Sequence, residues 1–161
     1  LKFSLKIYLI FLFITILWTF SLIFIPYFKT LGGNWSEISL FGYSFFSSTC
    51  HQLEDRSFYL FGNPMPVCSR CSSVYFAFLL SVILYPLLKG IDNKKLPSIW
   101  ILMIISLFVF LDVVFDMFGI LKNTFVTRSV SGILIGFILP LYLIPGTLNF
   151  FNEIRLKYLN H

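Results

Sequence analysis

Charged residues are scarce in this chain of 161 residues. Lys, Arg, Asp and Glu make up 12% of it, whereas a soluble globular domain carries about 25%. Apolar residues make up 58% and aromatic residues 20%. The composition nearly excludes a water-soluble domain and predicts a protein whose main partner is the lipid bilayer.

A continuous basic stripe is also absent. The formal net charge is +5, but the cations occur in short clusters between long apolar runs. Nucleic-acid-binding domains concentrate their basic residues on one face, so we expect no nucleic-acid partner. Internal repeats, low-complexity tracts and flexible linkers are missing too, which predicts a single membrane domain over residues 1–161.

Four apolar stretches are long enough to cross a bilayer as helices. A crossing helix needs about 20 apolar residues, because its backbone groups must satisfy one another inside lipid. We therefore predict an all-α integral membrane bundle of four transmembrane helices, with a long extracytoplasmic loop between the first two. The spans are expected at residues 7–28, 72–88, 98–119 and 129–150, with the loop at 29–71.

The first span also has to be compared with a signal peptide, because Lys2 and Lys6 precede it. Its apolar run of about 22 residues is longer than the usual hydrophobic segment of a signal peptide, and no small-residue cleavage site follows. We expect a retained membrane anchor.

The distribution of Lys and Arg between the loops predicts the orientation. Five of these residues lie on the side of the long loop, and three of the five are surrounded by other polar residues. The long loop then faces outward, and its apolar residues predict a short interfacial helix. Seven cations lie on the opposite side, which predicts a cytoplasmic-membrane protein with both termini in the cytoplasm: Lys2, Lys6, Lys89, Lys94, Lys95, Arg155 and Lys157.

All three cysteines lie in the long loop. Cys50 is followed by His51, and Cys68 and Cys71 form a Cys-x-x-Cys pair just before the second span. Such a turn places two sulfurs close enough to share a tetrahedral ion, and a Cys-His pair supplies further suitable ligands. We predict a metal site formed by these four residues, with zinc or another transition metal as the cofactor.

Other chemistries remain open for these thiols. A loop on an oxidising side can form a disulfide, and thiols can also simply pack. A membrane thiol-disulfide oxidoreductase would use Cys68 and Cys71 as the reactive pair and Cys50 as a relay thiol, since a helix N-terminus lowers a thiol pKa. Such enzymes usually need a second cysteine pair, which this chain lacks. A c-type haem is excluded, because Ser72 follows Cys71.

Two aspartates, Asp112 and Asp116, lie inside the third predicted span. A carboxylate near the bilayer centre costs about 2.5 to 3.5 kcal/mol on insertion scales, which predicts a functional role. Their spacing puts both on one helix face. Arg128 opens the fourth span on the same side of the membrane and is the expected counter-ion. The alternatives are an Asp116 at the water interface and an Arg128 that only snorkels.

We assign Asp112, Asp116 and Arg128 as candidate catalytic residues. One aspartate would act as general base near an open metal site. The planar arginine fork would bind a small anionic or lipid-linked ligand, and Arg56 is open to the same two interpretations as Arg128. The intramembrane carboxylates also leave a small ion or solute transporter open, which with four short spans would need to oligomerise.

A four-span topology brings all of these polar residues to one side of the membrane, which predicts a shared pocket beneath the long loop. Close helix packing is also predicted, because Gly132 and Gly136 have the Gly-x-x-x-Gly spacing. Pro86, Pro140 and Pro145 are expected to bend their helices.

The motifs resemble those of a family of small predicted membrane proteins of bacteria and archaea, domain of unknown function 2085. Where that family often has Gly after the second cysteine, this chain has Ser72, Ser73 and then Ala77. The resemblance implies a multi-span fold and no established activity. It is carried by Cys50-His51-Gln52, Arg56-Ser57-Phe58, Gly62, Cys68-Ser69-Arg70-Cys71, Tyr75, Asp112, Asp116, Arg128 and Gly132.

Overall fold

The computed structural model describes residues 3–91, 93 and 95–159. Lys2 and Lys94, which enter the orientation count, lie outside the described residues. The described chain forms helices α1 (Phe3–Leu31), α2 (Asn34–Ser47), α3 (Ser69–Leu88), α4 (Ile99–Met117), α5 (Phe125–Ile138) and α6 (Pro140–Leu159). A 3-10 turn (Glu54–Arg56) and an antiparallel hairpin of β1 (Tyr59–Leu60) and β2 (Asn63–Pro64) connect α2 to α3.

The predicted all-α bundle with four membrane-spanning helices is confirmed. Helices α1, α3 and α4 are each long and apolar enough to span a membrane, and α5 with α6 supplies the fourth span between Phe125 and Arg155. Helix α3 has 20 residues, so it rises about 30 Å, which matches the hydrocarbon thickness of a bilayer. The first helix is longer than predicted at both ends, because it continues through Lys6 and Lys29.

Proline interrupts the fourth span at the predicted position. Helix α5 ends at Ile138 and α6 begins at Pro140, whose nitrogen has no hydrogen to donate. Leu139 keeps helical angles and its amide donates to the carbonyl of Ile135 at 3.2 Å, so the chain does not form a loop here. Pro86 and Pro145 lie inside continuous helices.

Helices α3 and α5 pack with their backbones in direct contact, as the Gly-x-x-x-Gly spacing predicts. A Cβ atom at Gly132 would overlap the carbonyl oxygen of Arg70, and one at Gly136 would overlap that of Val74. Small residues are required wherever two helix backbones approach this closely in lipid. The contact fixes the register of the two helices, and it places Arg70, in the first turn of α3, level with Gly132 of α5.

Helix α2 folds back along α1 and returns the chain to the bundle. Gly32 and Gly33 have φ values of 68° and 55°, which allow the sharp reversal. The hydroxyl of Ser39 then donates to the carbonyl of Ile25 at 2.8 Å. Near the end of α2, the ring of Phe46 meets Trp18 edge-on at 5.3 Å between centroids. A helix is present within the predicted long loop, and it delivers Cys50 to the C-terminal half of α1, where it packs with Leu22 and Ile25.

Candidate functional site

The three cysteines come together at the start of α3. Their Sγ atoms all lie within 4.8 Å of one another. Cys50 is buried in the loop after α2, Cys68 is the residue that precedes α3, and Cys71 is the third residue of that helix. The backbone amide of Cys68 donates to the Sγ of Cys50 at 3.1 Å. The structure therefore brings Cys50 within reach of the Cys-x-x-Cys pair.

Hydrogen bonding favours the ionised form of Cys50. The side chains of Cys68 and Cys71 donate toward its sulfur and hold the pKa of the Cys50 thiol well below its ordinary value, although burial acts in the opposite direction. The thiolate is the form that binds metal ions.

A hydrogen-bond clamp orders the loop that carries Cys50. The side-chain amide of Gln52 donates to the carbonyl of Tyr43 at 2.6 Å and to that of Pro66 at 2.9 Å. The Tyr43 hydroxyl donates to the carbonyl of Pro64, and burial together with the charge of Glu54 raises the pKa of Tyr43 to about 12. Gln52 thus ties α2 to the segment before Cys68. Sequence reasoning quoted Gln52 in the family motif but gave it no role.

His51 lies beside this cluster without joining it. Its side chain is exposed and lines the same cavity as the cysteines. Among the described residues, the group whose potential ligand atoms lie within 4.8 Å of one another contains the three cysteines and not His51. A ligand role for His51 stays a prediction, and it requires the side chain to rotate toward the sulfurs.

A cavity of about 310 Å³ opens next to the three cysteines. Its walls come from the loop after α2, the first turn of α3, the last turn of α4 and the first turn of α5. The charged residues that line it are Arg56, Arg70, Asp116 and Arg128. Most of the residues predicted to share a pocket therefore line this cavity together with three guanidinium groups, but Asp112 does not line it.

Helix ends place these charged side chains. Helix α4 ends just after Asp116, where Gly119 adopts a φ of 71° and the amide of Ile120 donates to the carbonyl of Phe115 at 3.0 Å. Helix α5 begins with Thr124, whose hydroxyl accepts from the amide of Thr127.

Both intramembrane aspartates are paired with arginines. Arg128, the expected counter-ion of one of the aspartates, donates to Asp116 at 3.2 Å. The amide of Asn123 donates to the other carboxylate oxygen at 2.9 Å. Arg70 donates to Asp112 at 2.7 Å. Asp112 and Asp116 are each 17% exposed, so both carboxylates face the helix bundle.

Sequence reasoning missed Arg70 as a site residue. Its Nε also donates to the hydroxyl of Ser131 at 3.2 Å, so this side chain connects α3 to both α4 and α5. A signal was available, because an arginine in the first turn of one span lies at the same level as an aspartate near the end of a neighbouring span. That pairing, however, depends on which helices are neighbours.

A family described as a predicted membrane protein, domain of unknown function 2085, matches residues 50–142. The chain belongs to this family. It is also 34% identical over 143 residues to the uncharacterized protein MJ1492 of Methanocaldococcus jannaschii, which covers 87% of this chain and 92% of that protein. No solved structure matches the chain significantly.

The matched range of the domain of unknown function 2085 begins at Cys50 and ends at Tyr142. It contains the three cysteines and every charged residue of the cavity, and it leaves out α1 and α2. The site therefore belongs to the part of the chain that the family shares.

Proposed function

We propose that this protein is an integral membrane metal protein in which Cys50, Cys68 and Cys71 bind a transition metal, with zinc as the best fit. The proposal rests on one observation, the convergence of three Sγ atoms within 4.8 Å. In a tetrahedral zinc site with Zn–S bonds of about 2.3 Å, neighbouring sulfurs are about 3.8 Å apart. The three cysteines need only a small contraction to reach this geometry.

The surroundings of the sulfurs support metal binding. Thiolate ligands favour zinc and other soft or borderline metals. The N–H···S hydrogen bond from Cys68 to Cys50 stabilises a thiolate, and the Gln52 clamp restricts the loop that carries Cys50. Interactions of this kind around the ligands orient them before the metal arrives.

The proposed metal has an open coordination position. No fourth Cys, His, Asp or Glu among the described residues joins the three sulfurs. Structural zinc sites are usually closed by four protein ligands, whereas catalytic sites keep one position for water or substrate. Here the sulfurs line a cavity together with Asp116 and Arg128, so a small anionic or lipid-linked ligand would lie beside the metal.

The two aspartates have different roles in this proposal. Asp116 lines the cavity and is the better candidate for a general base. Asp112 instead bonds Arg70 at 2.7 Å, so it positions that arginine. The excess of Lys and Arg on the opposite side of the membrane supports a site on the outer surface, with both termini in the cytoplasm.

Elemental analysis of the detergent-purified protein, prepared without chelators, tests the metal site. We expect about one zinc or other transition-metal ion per chain, and a loss of most of it in Cys68→Ser. Ser69→Ala is the matched control, because it removes a buried hydroxyl that has no hydrogen-bond partner among the described residues. His51→Ala shows whether the histidine contributes. Wild-type protein without stoichiometric metal would refute the proposal.

A thiol-disulfide oxidoreductase is the second candidate. It is favoured by the same proximity of the sulfurs and by the position of Cys68 and Cys71 at the start of α3. Labelling with a thiol-reactive mass tag separates the two functions. A mixture of oxidised and reduced chains supports redox chemistry, whereas thiols that react only after chelation support the metal site.

The structure does not favour a transporter. Asp112 and Asp116 both form ion pairs with arginines, so neither carboxylate is a free ligand for a cation. Unchanged fluxes in vesicles that contain the Asp112→Asn and Asp116→Asn variants would remove this function.

A further inference from the structure

Three arginines from three separate parts of the chain line the cavity. Arg56 lies in the 3-10 turn after α2, Arg70 in the first turn of α3 and Arg128 in the first turn of α5. Two shielded carboxylates, those of Asp112 and Asp116, pair with these guanidinium groups. Asp55 also lies near Arg56, but its side chain is 76% exposed to solvent. The cluster therefore contains one more guanidinium group than shielded carboxylates.

Of the three arginines in the cavity, Arg56 has the most guanidinium N–H groups available to a ligand. Its guanidinium nitrogens are 3.9 Å from Asp116 and 3.8 Å from Asp55, which is longer than a hydrogen bond. Arg70 and Arg128, in contrast, each donate at least one hydrogen bond to a carboxylate. The side chain of Arg56 is 44% exposed, so a ligand that enters the cavity can reach it.

The geometry of the donors selects the class of anion. A guanidinium group binds two oxygens of a phosphate or a carboxylate with parallel hydrogen bonds. A carboxylate has only two oxygens in one plane, whereas a phosphoryl group presents its oxygens in tetrahedral directions and can be approached from several sides. The first turns of α3 and α5 also contribute positive helix ends at the cavity.

The size of the cavity and the charge of Arg56 limit which ligands can bind. A cavity of about 310 Å³ is at the small end of ligand pockets, so it accommodates a headgroup and leaves any acyl chains outside. The guanidinium of Arg56, which forms no hydrogen bond to a carboxylate, is the cation left to bind a phosphodiester or a singly charged phosphate.

We infer that this cavity binds a phosphoryl group, and that Arg56 is the principal arginine that recognises it. The ligand is either the phosphodiester of a membrane lipid or free phosphate, since both present the same chemistry to the three arginines. The inference rests on the proposed function in placing the phosphoryl group beside the open position of the metal. The arginine cluster itself is formed by the chain alone, so the two ideas can fail separately.

Binding measurements on the full-length protein in maltoside detergent, by titration calorimetry in a phosphate-free buffer, test the inference. The probes are inorganic phosphate and dihexanoyl phosphatidylglycerol, with uncharged dihexanoyl glycerol as the comparison. We expect at least one of the two phosphoryl probes to bind and dihexanoyl glycerol not to bind. Tighter binding of phosphate identifies the free anion as the source, and tighter binding of the phospholipid identifies the headgroup.

The variants separate recognition from general electrostatic attraction. We expect Arg56→Gln to weaken binding at least 10-fold and Arg56→Lys to retain part of it, because lysine keeps the charge but loses the planar fork. Lys122→Gln removes an exposed cation on the same side of the bundle and is expected to leave binding unchanged. Arg56 is half-exposed, so its replacement leaves the packed core intact.

Metal content measured on the same samples keeps the two proposals apart. Arg56-dependent phosphate binding by protein that holds no metal refutes the metal site and supports the phosphoryl site. Stoichiometric metal without binding of either phosphoryl probe refutes the phosphoryl site alone. An equal loss of binding in Arg56→Gln and Lys122→Gln would also refute it.

Discussion

Helices α3 and α4 both carry residues of the cavity, but the bundle holds them in different ways. Seven residues of α3 are buried, and two glycines of α5 allow the backbones of α3 and α5 to touch. No residue of α4, all of which is described, is buried. Its charged contacts to the rest of the described chain are Arg70–Asp112, Arg128–Asp116 and a longer one of 3.9 Å between Arg56 and Asp116.

The comparison shows which part of the site is rigid. Arg70, Cys71 and Arg128 lie on the packed helices α3 and α5. Both aspartates lie on α4, a helix that ion pairs hold in place. In lipid there is no hydrophobic force between helices, so polar contacts and close packing determine how strongly each helix is bound. We expect α4 to be the element that separates most easily from the bundle.

The largest effect is expected when the close packing of α3 against α5 is disrupted. Gly136→Leu places a side chain against the backbone of Val74 and should lower the free energy of unfolding by about 3 kcal/mol. Thermal unfolding in detergent measures this loss. Gly146→Leu is the control, because no atom within 4 Å would meet its Cβ. Equal stability of the two variants would contradict the packing described for α3 and α5.

A smaller effect is expected when the ionic attachment of α4 is broken. Asp112→Asn leaves the guanidinium of Arg70 without its carboxylate and should lower the free energy of unfolding by about 2 kcal/mol. The loss is smaller than for a fully buried pair, because both side chains are about one-fifth exposed. Hydrogen exchange should accelerate in α4 while α3 and α5 stay protected.

A double-mutant cycle gives the control for the ionic attachment. The double variant Asp112→Asn with Arg70→Gln should lose less free energy of unfolding than the two single variants together, because the two residues interact directly. Asp55→Asn, at a carboxylate that is 76% exposed, should leave exchange unchanged. Uniform acceleration over all helices would show that α4 is not the weak element.

The smallest effect is expected at the loop after α2 that carries Cys50. Gln52→Ala removes two hydrogen bonds and should lower the free energy of unfolding by about 1 kcal/mol. It should also weaken metal binding, since Cys50 loses its fixed position relative to Cys68. Gln52→Glu should behave in the same way, because a carboxylate cannot donate to the two carbonyls, and exposed Glu54→Gln should have no effect. An unchanged metal affinity in Gln52→Ala would show that the clamp does not position Cys50.

The sequence predicted the features that depend on local pattern. Hydropathy alone located the four spans, and the spacing of Gly132 and Gly136 predicted the close helix contact. Counting the spans placed the cysteines and Asp116 on one side, and it made Arg128 the expected partner of one of the two aspartates. The helix in the long loop was also predictable, because a simple solvated loop would not need the apolar and aromatic residues that this segment contains.

Other features depend on which segments become neighbours. Only the reversal at Gly32 and Gly33, with α2 lying along α1, brings Cys50 to the Cys-x-x-Cys pair. The pairing of Arg70 with Asp112 follows from the position of α4 beside α3 and α5.

Composition, hydropathy and residue spacing by themselves determined the all-α membrane bundle and the side on which its polar residues gather. The tertiary structure decided which of these residues touch, where His51 lies relative to the sulfurs, and which arginine of the cavity has a guanidinium that hydrogen-bonds no carboxylate. The reason is physical: burial in lipid acts on each helix separately and can be read along the chain, whereas hydrogen bonds and ion pairs between distant residues depend on how the helices and loops are arranged in space.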